Sequence, residues 1–390
     1  MSMTPASLVV PQRVLLSGVP RVHFYQGGAS RCPEDFTFPS CLRAALEFLG
    51  HNLGCLHVPK GTPGWGLNCA YAYLVGASGN AFSLVWNDGW DPGNTDIRWI
   101  AADPAEPMRR ALEAAGCSGQ VLLREQGHAD EGVYRDAIIT SLRDQGRPVL
   151  ALGVVGPPEC CLITGYDEGG DVLMGWSFFQ DVPGFAPSQG IEPTGEFRQG
   201  DWFAQTAGLI VLGDGNGGAA IGKPPDRHAI YRSTLREAVA SIRAPMIHGR
   251  HTGLAAYDAW AEHLLRDDAF PTGEPAALRE RYDIHDWTVG NVATARWYGS
   301  LFLSQMANEE PWMSAELLRA AACMAEEHAL MWDAWGLVGG IGWNEERGHK
   351  LAEPDTRRAI VEVIGQSREW YAQMADHLEA ALAHADRAPA

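Results

Sequence analysis

The chain has 390 residues, more than the roughly 250–300 at which one hydrophobic core stops growing, so two domains are expected. Hydrophobic residues make up 46% and charged residues 20%, with 14 Trp, 12 Phe and 10 Tyr, a composition that can offset the entropy of ordering and excludes global disorder. The 30 basic and 48 acidic side chains give a net charge of −18, without the positive footprint that displaces counterions from a phosphate backbone, so no nucleic acid is expected as a partner.

The first residues lack a basic stretch followed by a long apolar one, and no uninterrupted apolar run of about 18 residues occurs elsewhere, so the protein is expected to be cytoplasmic, with no membrane partner. Eight cysteines at 32, 41, 55, 69, 117, 160, 161 and 323 do not form the dense, even framework of a stapled secreted domain, and reduced thiols are expected. Helices are predicted over 41–49, 107–115 and 133–145. Residues 149–155, short, apolar and β-branched between Pro148 and Gly156-Pro157-Pro158, read as a buried strand. Strands over 160–167 and 171–178 flank Glu168-Gly169-Gly170 as a hairpin, and 209–212 is a further strand. This part is therefore α+β with a mainly antiparallel sheet.

The pattern changes near residue 213. Gly213-Asp214-Gly215-Asn216-Gly217-Gly218 and Lys223-Pro224-Pro225 lack the strand-to-helix context of a phosphate cradle and read as a linker over 213–226. Beyond it, helices are predicted near 229–242, 253–267, 286–307, 315–336 and 355–383. Leu254, Tyr257, Trp260, Ala261, Leu264 and Leu265 recur at steps of three and four, the mark of a face buried against neighbouring helices. Two domains are expected: an α+β domain over 1–213 and an all-α helical bundle over 227–390.

Cys41 is the first candidate for chemistry. The run Thr37-Phe38-Pro39-Ser40-Cys41-Leu42-Arg43 puts it at the opening of a helix, where unpaired backbone N–H groups and the positive dipole end stabilise a thiolate, and Arg43 adds positive charge. The competing reading is a small buried core thiol. This Ser-Cys helix opening, with the strand, short acidic turn and second strand around Leu162-Ile163-Thr164-Gly165-Tyr166-Asp167, resembles the papain-like cysteine peptidase superfamily. The likeness is to its bacteriocin-leader peptidase-like and butirosin-type acyltransferase branch, over about residues 20–213; uncharacterised bacterial proteins are similar to both halves. The resemblance implies a papain-like α+β domain, a Cys41 nucleophile, and a His about five residues before Thr-Gly-Tyr-Asp. That place holds Glu159, followed by Cys160 and Cys161, and Ser177 stands near the position of the Asn or Asp that would orient the imidazole. Either His51, His57 or His128 approaches Cys41 from another loop, or Glu159, with its pKa raised by burial, serves as general base or acid; the plain alternative is that Glu159 closes the Pro157-Pro158 turn.

Aromatic residues are dense between the first two predicted helices and around the hairpin, and Trp65, Tyr71, Trp90 and Trp176 are candidates to line a pocket. Their faces attract ammonium, guanidinium or sulfonium groups, although core packing accounts for the same pattern. Trp287, Asn291, Ala295 and Tyr298 share one helical stripe, and Glu327, His328, Trp332 and Trp335 cluster on another helix, so Trp287 and Glu327 are further candidates to face a ligand. Glu326-Glu327-His328 lacks the Glu-x-x-His spacing of a bundle metal site and Cys160-Cys161 the Cys-x-x-Cys spacing of zinc, so no metal and no cofactor are expected. Val338-Gly339-Gly340-Ile341-Gly342-Trp343 reads as a tight loop over a cleft between the domains.

Three functions follow. The first is cysteine-dependent acyl transfer or amide chemistry on a small, cationic, amine-containing metabolite in a bacterial biosynthetic pathway. The second is a cofactor-independent lyase or cyclase in which Glu159 takes a proton from an amino-acid-like or sulfonium substrate such as S-adenosylmethionine. The third is a non-catalytic binding protein on a degenerate papain-like fold. The partner in each is a small molecule, and aromatics on the helical half are compatible with a homodimer.

Overall fold

The computed structural model describes residues 11–24, 33–51, 53, 69–213, 221–222 and 225–387; most of the expected linker lies outside them. In chain order the helices are α1 (Thr37–Phe48), α2 (Cys69–Ser78), α3 (Glu106–Ala114), α4 (Glu131–Ile139), α5 (Arg227–Arg243), α6 (Gly253–Leu264), α7 (Pro275–Glu309), α8 (Ser314–Val338), α9 (Glu345–Ala352) and α10 (Pro354–Ala385). The strands are β1 (Val14–Leu15), β2 (Val85–Trp86), β3 (Gly119–Leu123), β4 (Val149–Leu152), β5 (Cys160–Asp167), β6 (Val172–Trp176), β7 (Phe197–Gly200), β8 (Gly208–Leu212), β9 (Met246–Ile247) and β10 (Arg250–Thr252). Among the described residues every strand pairing is antiparallel, and with the helices this makes the chain α+β as expected.

The chain forms two compact units that do not follow the expected boundary. One comprises Met1–Phe24, Ser40–Asn52 and Gly116–Lys223; the other Tyr25–Pro39, Leu53–Ala115 and Pro224–Ala390. Part of the segment assigned to a 1–213 domain thus belongs with the helices of the second half. The reason is visible in α2: Cys-Ala-Tyr-Ala-Tyr-Leu-Val-Gly-Ala-Ser is apolar around its whole circumference, and such a helix must be covered on all sides. It is covered by α3, α5 and α7.

In the first unit the sheet runs β3-β8-β4-β5-β6-β7, with β1 also on β5. The expected hairpin is present as β5 and β6 joined through a 3₁₀ turn at Glu168–Gly170. β5 is bulged between Ile163 and Gly165. A Cβ at 165 would stand 2.5 Å from the Val14 carbonyl oxygen, so only glycine lets β1 pair there. The core is built from Val149, Ala151, Cys161, Ile163, Leu173, Leu209 and Val211 on the strands, with Tyr134 and Ile138 of α4.

In the second unit the long helix α8 packs on both α7 and α10, and β2-β10-β9 forms a small sheet. Local chemistry sets their ends. Asp226 accepts from the His228 N–H (3.0 Å) and Ala229 N–H (3.4 Å) to cap α5, prolines stand in the first turn of α7 and α10, and Gly339 takes a left-handed conformation after α8. The 338–343 segment is the expected tight loop, held by Arg347, which donates to the carbonyls of Gly339 (3.0 Å), Ile341 (2.6 Å) and Gly342 (2.8 Å).

Candidate functional site

α1 begins at Thr37, four residues before the expected opening at Cys41, so Cys41 occupies the second turn. In the i→i−4 pattern the Cys41 N–H is used inside the helix, and Pro39, one residue of the first turn, has none to offer. The backbone N–H groups expected to hold an oxyanion therefore do not surround this thiol. Cys41 is 0% exposed, and its Sγ donates to the Cys160 carbonyl oxygen at 3.4 Å. Burial pushes the Cys160 thiol well above its ordinary range, with Cys41, Cys161 and Glu159 adding to the rise. Burial also lifts Cys161 to about 12, opposed by hydrogen bonds from its surroundings, Ser177 first among them. A thiolate at Cys160 or Cys161 is disfavoured.

Glu159 is partly buried, and its backbone closes the turn after β4: its N–H donates to the Pro157 carbonyl (2.6 Å) and its carbonyl accepts from the Gly153 N–H (2.9 Å). Ser177 donates its hydroxyl to the Val155 carbonyl (2.8 Å) and accepts from the Phe179 N–H (3.1 Å). His128 is exposed, and His51 follows the far end of α1, seven helical residues or roughly 10 Å beyond Cys41 along the axis. His57 lies outside the described residues.

The expected pocket aromatics fall in separate places. Trp176 ends β6 in the first unit; it is buried, its indole N–H finds no acceptor among the described residues, and the Arg21 guanidinium lies 5.5 Å from its ring centre. Tyr71, in the second unit, is fully buried with its hydroxyl accepting from the Phe36 N–H (2.9 Å) and its ring edge-on to Tyr298 at 4.6 Å. Burial holds that phenol well above its usual range. Trp90 is half-buried, edge-on to Trp86 and Phe270, with Arg281 5.7 Å from its ring. Trp287 is 48% exposed on α7, and Trp65 lies outside the described residues.

Glu327 belongs to a network that sequence reasoning missed. It is fully buried, accepting from Arg296 Nε at 2.9 Å and from the Tyr257 hydroxyl at 2.7 Å. Arg296, also fully buried, donates to the carbonyls of Ala81 (2.8 Å) and Ser83 (3.3 Å). Burial pushes the Glu327 carboxyl up, and the attraction of Arg296 works against that rise. This ion pair ties α6, α7 and α8 to the 81–83 turn; both side chains are fully buried, and the second carboxylate oxygen, Oε1, finds no partner among the described residues. Tyr257 stood on the predicted buried stripe of α6, but nothing in sequence paired positions 296 and 327.

A recess not foreseen from the sequence opens in the same unit. It is small, with a volume of about 20 Å³, and lies between the 3₁₀ turns Asn80–Phe82 and Pro92–Thr95, β2 and α7; that is room for roughly one water. Asn80, Ser83, Asn94, Thr95, Thr288 and Asn291 supply its polar lining, and the rest is apolar. Asn291 lay on the stripe expected to face a ligand, and Thr288 stands three residues before it on α7; the other polar residues sit in or beside short turns without periodicity.

Among the described residues no group of three or more His, Cys, Asp or Glu side chains is arranged to hold a metal ion, and no helix is long and apolar enough to cross a membrane. No protein-family model matches the chain, and no curated protein matches it.

Proposed function

We propose that the protein is a non-catalytic binding protein for a small, uncharged metabolite, built on a papain-like frame in which Cys41 is a core residue. The observation that carries this reading is the complete burial of Cys41, with its Sγ donating to the Cys160 carbonyl. A nucleophile needs a base within hydrogen-bond reach and an open approach. The use of aromatic faces within the chain supports an uncharged ligand: Arg21 covers Trp176, Arg281 approaches Trp90, and Arg98 and Arg250 each lie 5.0 Å from the Trp99 ring. Faces already taken by the protein's own arginines contribute little to a ligand cation.

Alkylation of the folded chain with iodoacetamide at neutral pH tests the reading. Cys41 is expected to stay unmodified while the chain is native and to react fully once it is unfolded. Fast, stoichiometric modification of native Cys41 would overturn the proposal and favour cysteine-dependent acyl transfer to a small cationic amine. One observation favours that second reading: Cys41 touches the backbone of Cys160, the residue after Glu159, and the Glu159 charge is felt at the Cys160 thiol.

A further inference from the structure

We infer that the outward face of α8 is the contact of a homodimer, in which two copies of the chain lay this helix antiparallel on itself about a two-fold axis between Ala322 and Ala325. The face is apolar where solvent favours polar side chains. Ala315, Leu318, Ala322, Ala325, Ala329 and Trp332 are all exposed, Leu318 by 51% and Trp332 by 41%. They recur at alternating steps of three and four, the seam by which one helix packs on another, and at the rise of a helix the seam runs for about 26 Å. The opposite side of α8, with Leu317, Met324 and Met331, is already buried in the core of the unit, so the seam is a second apolar face on one helix. The same alternation on the outward side of α10 carries Glu362, Gln366, Glu369, Gln373 and Asp376, an ordinary solvent face.

Antiparallel pairing about that axis leaves no two bulky side chains opposed. Trp332 meets Ala315 of the second copy, Leu318 meets its Ala329, and Ala322 meets its Ala325, so each layer sets a small residue against its partner and the two backbones come close. Trp332 is oriented from within its own chain, where its indole N–H donates to His328 Nε2 at 3.1 Å.

Charge selects both the occupant and the register. Arg319, Glu326 and Asp333 lie along one edge of the seam, and all three are exposed. In this register Arg319 of each copy stands beside Glu326 of the other, which makes two symmetric pairs of opposite charge. Sliding one helix by a heptad in one direction puts Glu326 beside its own copy, and in the other direction Arg319 beside its own copy; like charges so placed repel. Asp333 falls beside the start of the second copy's helix, where unpaired N–H groups favour a negative charge. Arg319, 58% exposed, closes on Glu316 within one turn of its own helix, a pair that yields at little cost. A face that complements itself in size and charge in one antiparallel register fits a second copy of this chain.

The test is sedimentation velocity of the full-length chain over a range of concentrations. A seam one helix wide is small among specific interfaces, so a dimer with a dissociation constant on the order of 10 µM is expected. Arg319→Glu makes the edge of each face wholly acidic, and Glu326→Arg places two basic groups where the axis needs opposite charges. Either substitution alone is expected to weaken the dimer about tenfold or more. An equimolar mixture of the two variants is expected to associate as strongly as the unchanged chain, because each then supplies the charge that the other lacks; this rescue also shows that both variants are folded. A chain that stays monomeric up to about 300 µM leaves the face to solvent or to a different partner and overturns the inference. A dimer indifferent to both substitutions overturns it as well, and so does a mixture that associates no better than either variant by itself.

Discussion

The thiols at 41, 160 and 161 illustrate how little residue type says without burial. A cysteine near a helix start reads equally well as a nucleophile or as core, and the difference is made by Cys41 standing one turn further into α1 and being sealed against the Cys160 backbone. His285 shows the same dependence in a group with no expected role. It lies fully buried on α7, tilted against Trp260 at 5.6 Å between ring centres, and neither ring nitrogen finds a partner among the described residues. Burial alone depresses its pKa from 6.5 to about 4. The unfolded chain therefore binds a proton between pH 6.5 and about 4 that the folded chain refuses, and the folded state loses stability as pH falls through this window, by about 3 kcal/mol for this group. His285→Leu is expected to flatten that part of the stability profile. Urea melts at pH 7 and pH 4.5 measure it; an equal fall in both proteins would show that His285 is not the responsible group.

At the scale of elements, sequence periodicity located most helices and misjudged their limits. The reading of 286–307 became α7 over Pro275–Glu309, because residues 275–285 (Pro-Ala-Ala-Leu-Arg-Glu-Arg-Tyr-Asp-Ile-His) carry few apolar positions and become recognisably helical only when Leu278, Tyr282 and Ile284 find a core. α2 was missed for the opposite reason: being apolar all round it carries no periodicity. Its packing depends on Gly76, which accepts the ring of Phe302 from α7 so closely that a Cβ there would overlap the ring. Gly76→Ala is expected to destabilise the folded chain by about 1–3 kcal/mol, despite the higher helix propensity of alanine. A lowered melting temperature in calorimetry is the readout, and an unchanged or raised one would contradict this packing.

For the molecule as a whole, the division into units makes a specific statement about folding. The second unit draws on Leu53–Ala115 as well as Pro224–Ala390. A fragment of residues 227–390, the expected bundle domain, would lack α2 and β2, uncover Phe302 and Trp260, and leave Arg296 without its acceptors at Ala81 and Ser83. It is expected to lose cooperative thermal unfolding and to bind a hydrophobic dye, whereas the full chain does neither. A fragment with a sharp melt comparable to that of the full chain would refute this.

Sequence alone determined the α+β class, the β5–β6 hairpin and most of the helices of the second half, because each follows from alternation, helical spacing or turn chemistry within a few neighbouring residues. The tertiary structure decided which segments share a core, that Glu327 is neutralised by Arg296, and that Asn94, Ser83 and Thr288 meet around one recess. Those pairings join residues as far apart in sequence as Ser83 and Thr288, and burial, hydrogen-bond satisfaction and charge matching over such separations exist only once the chain has closed on itself.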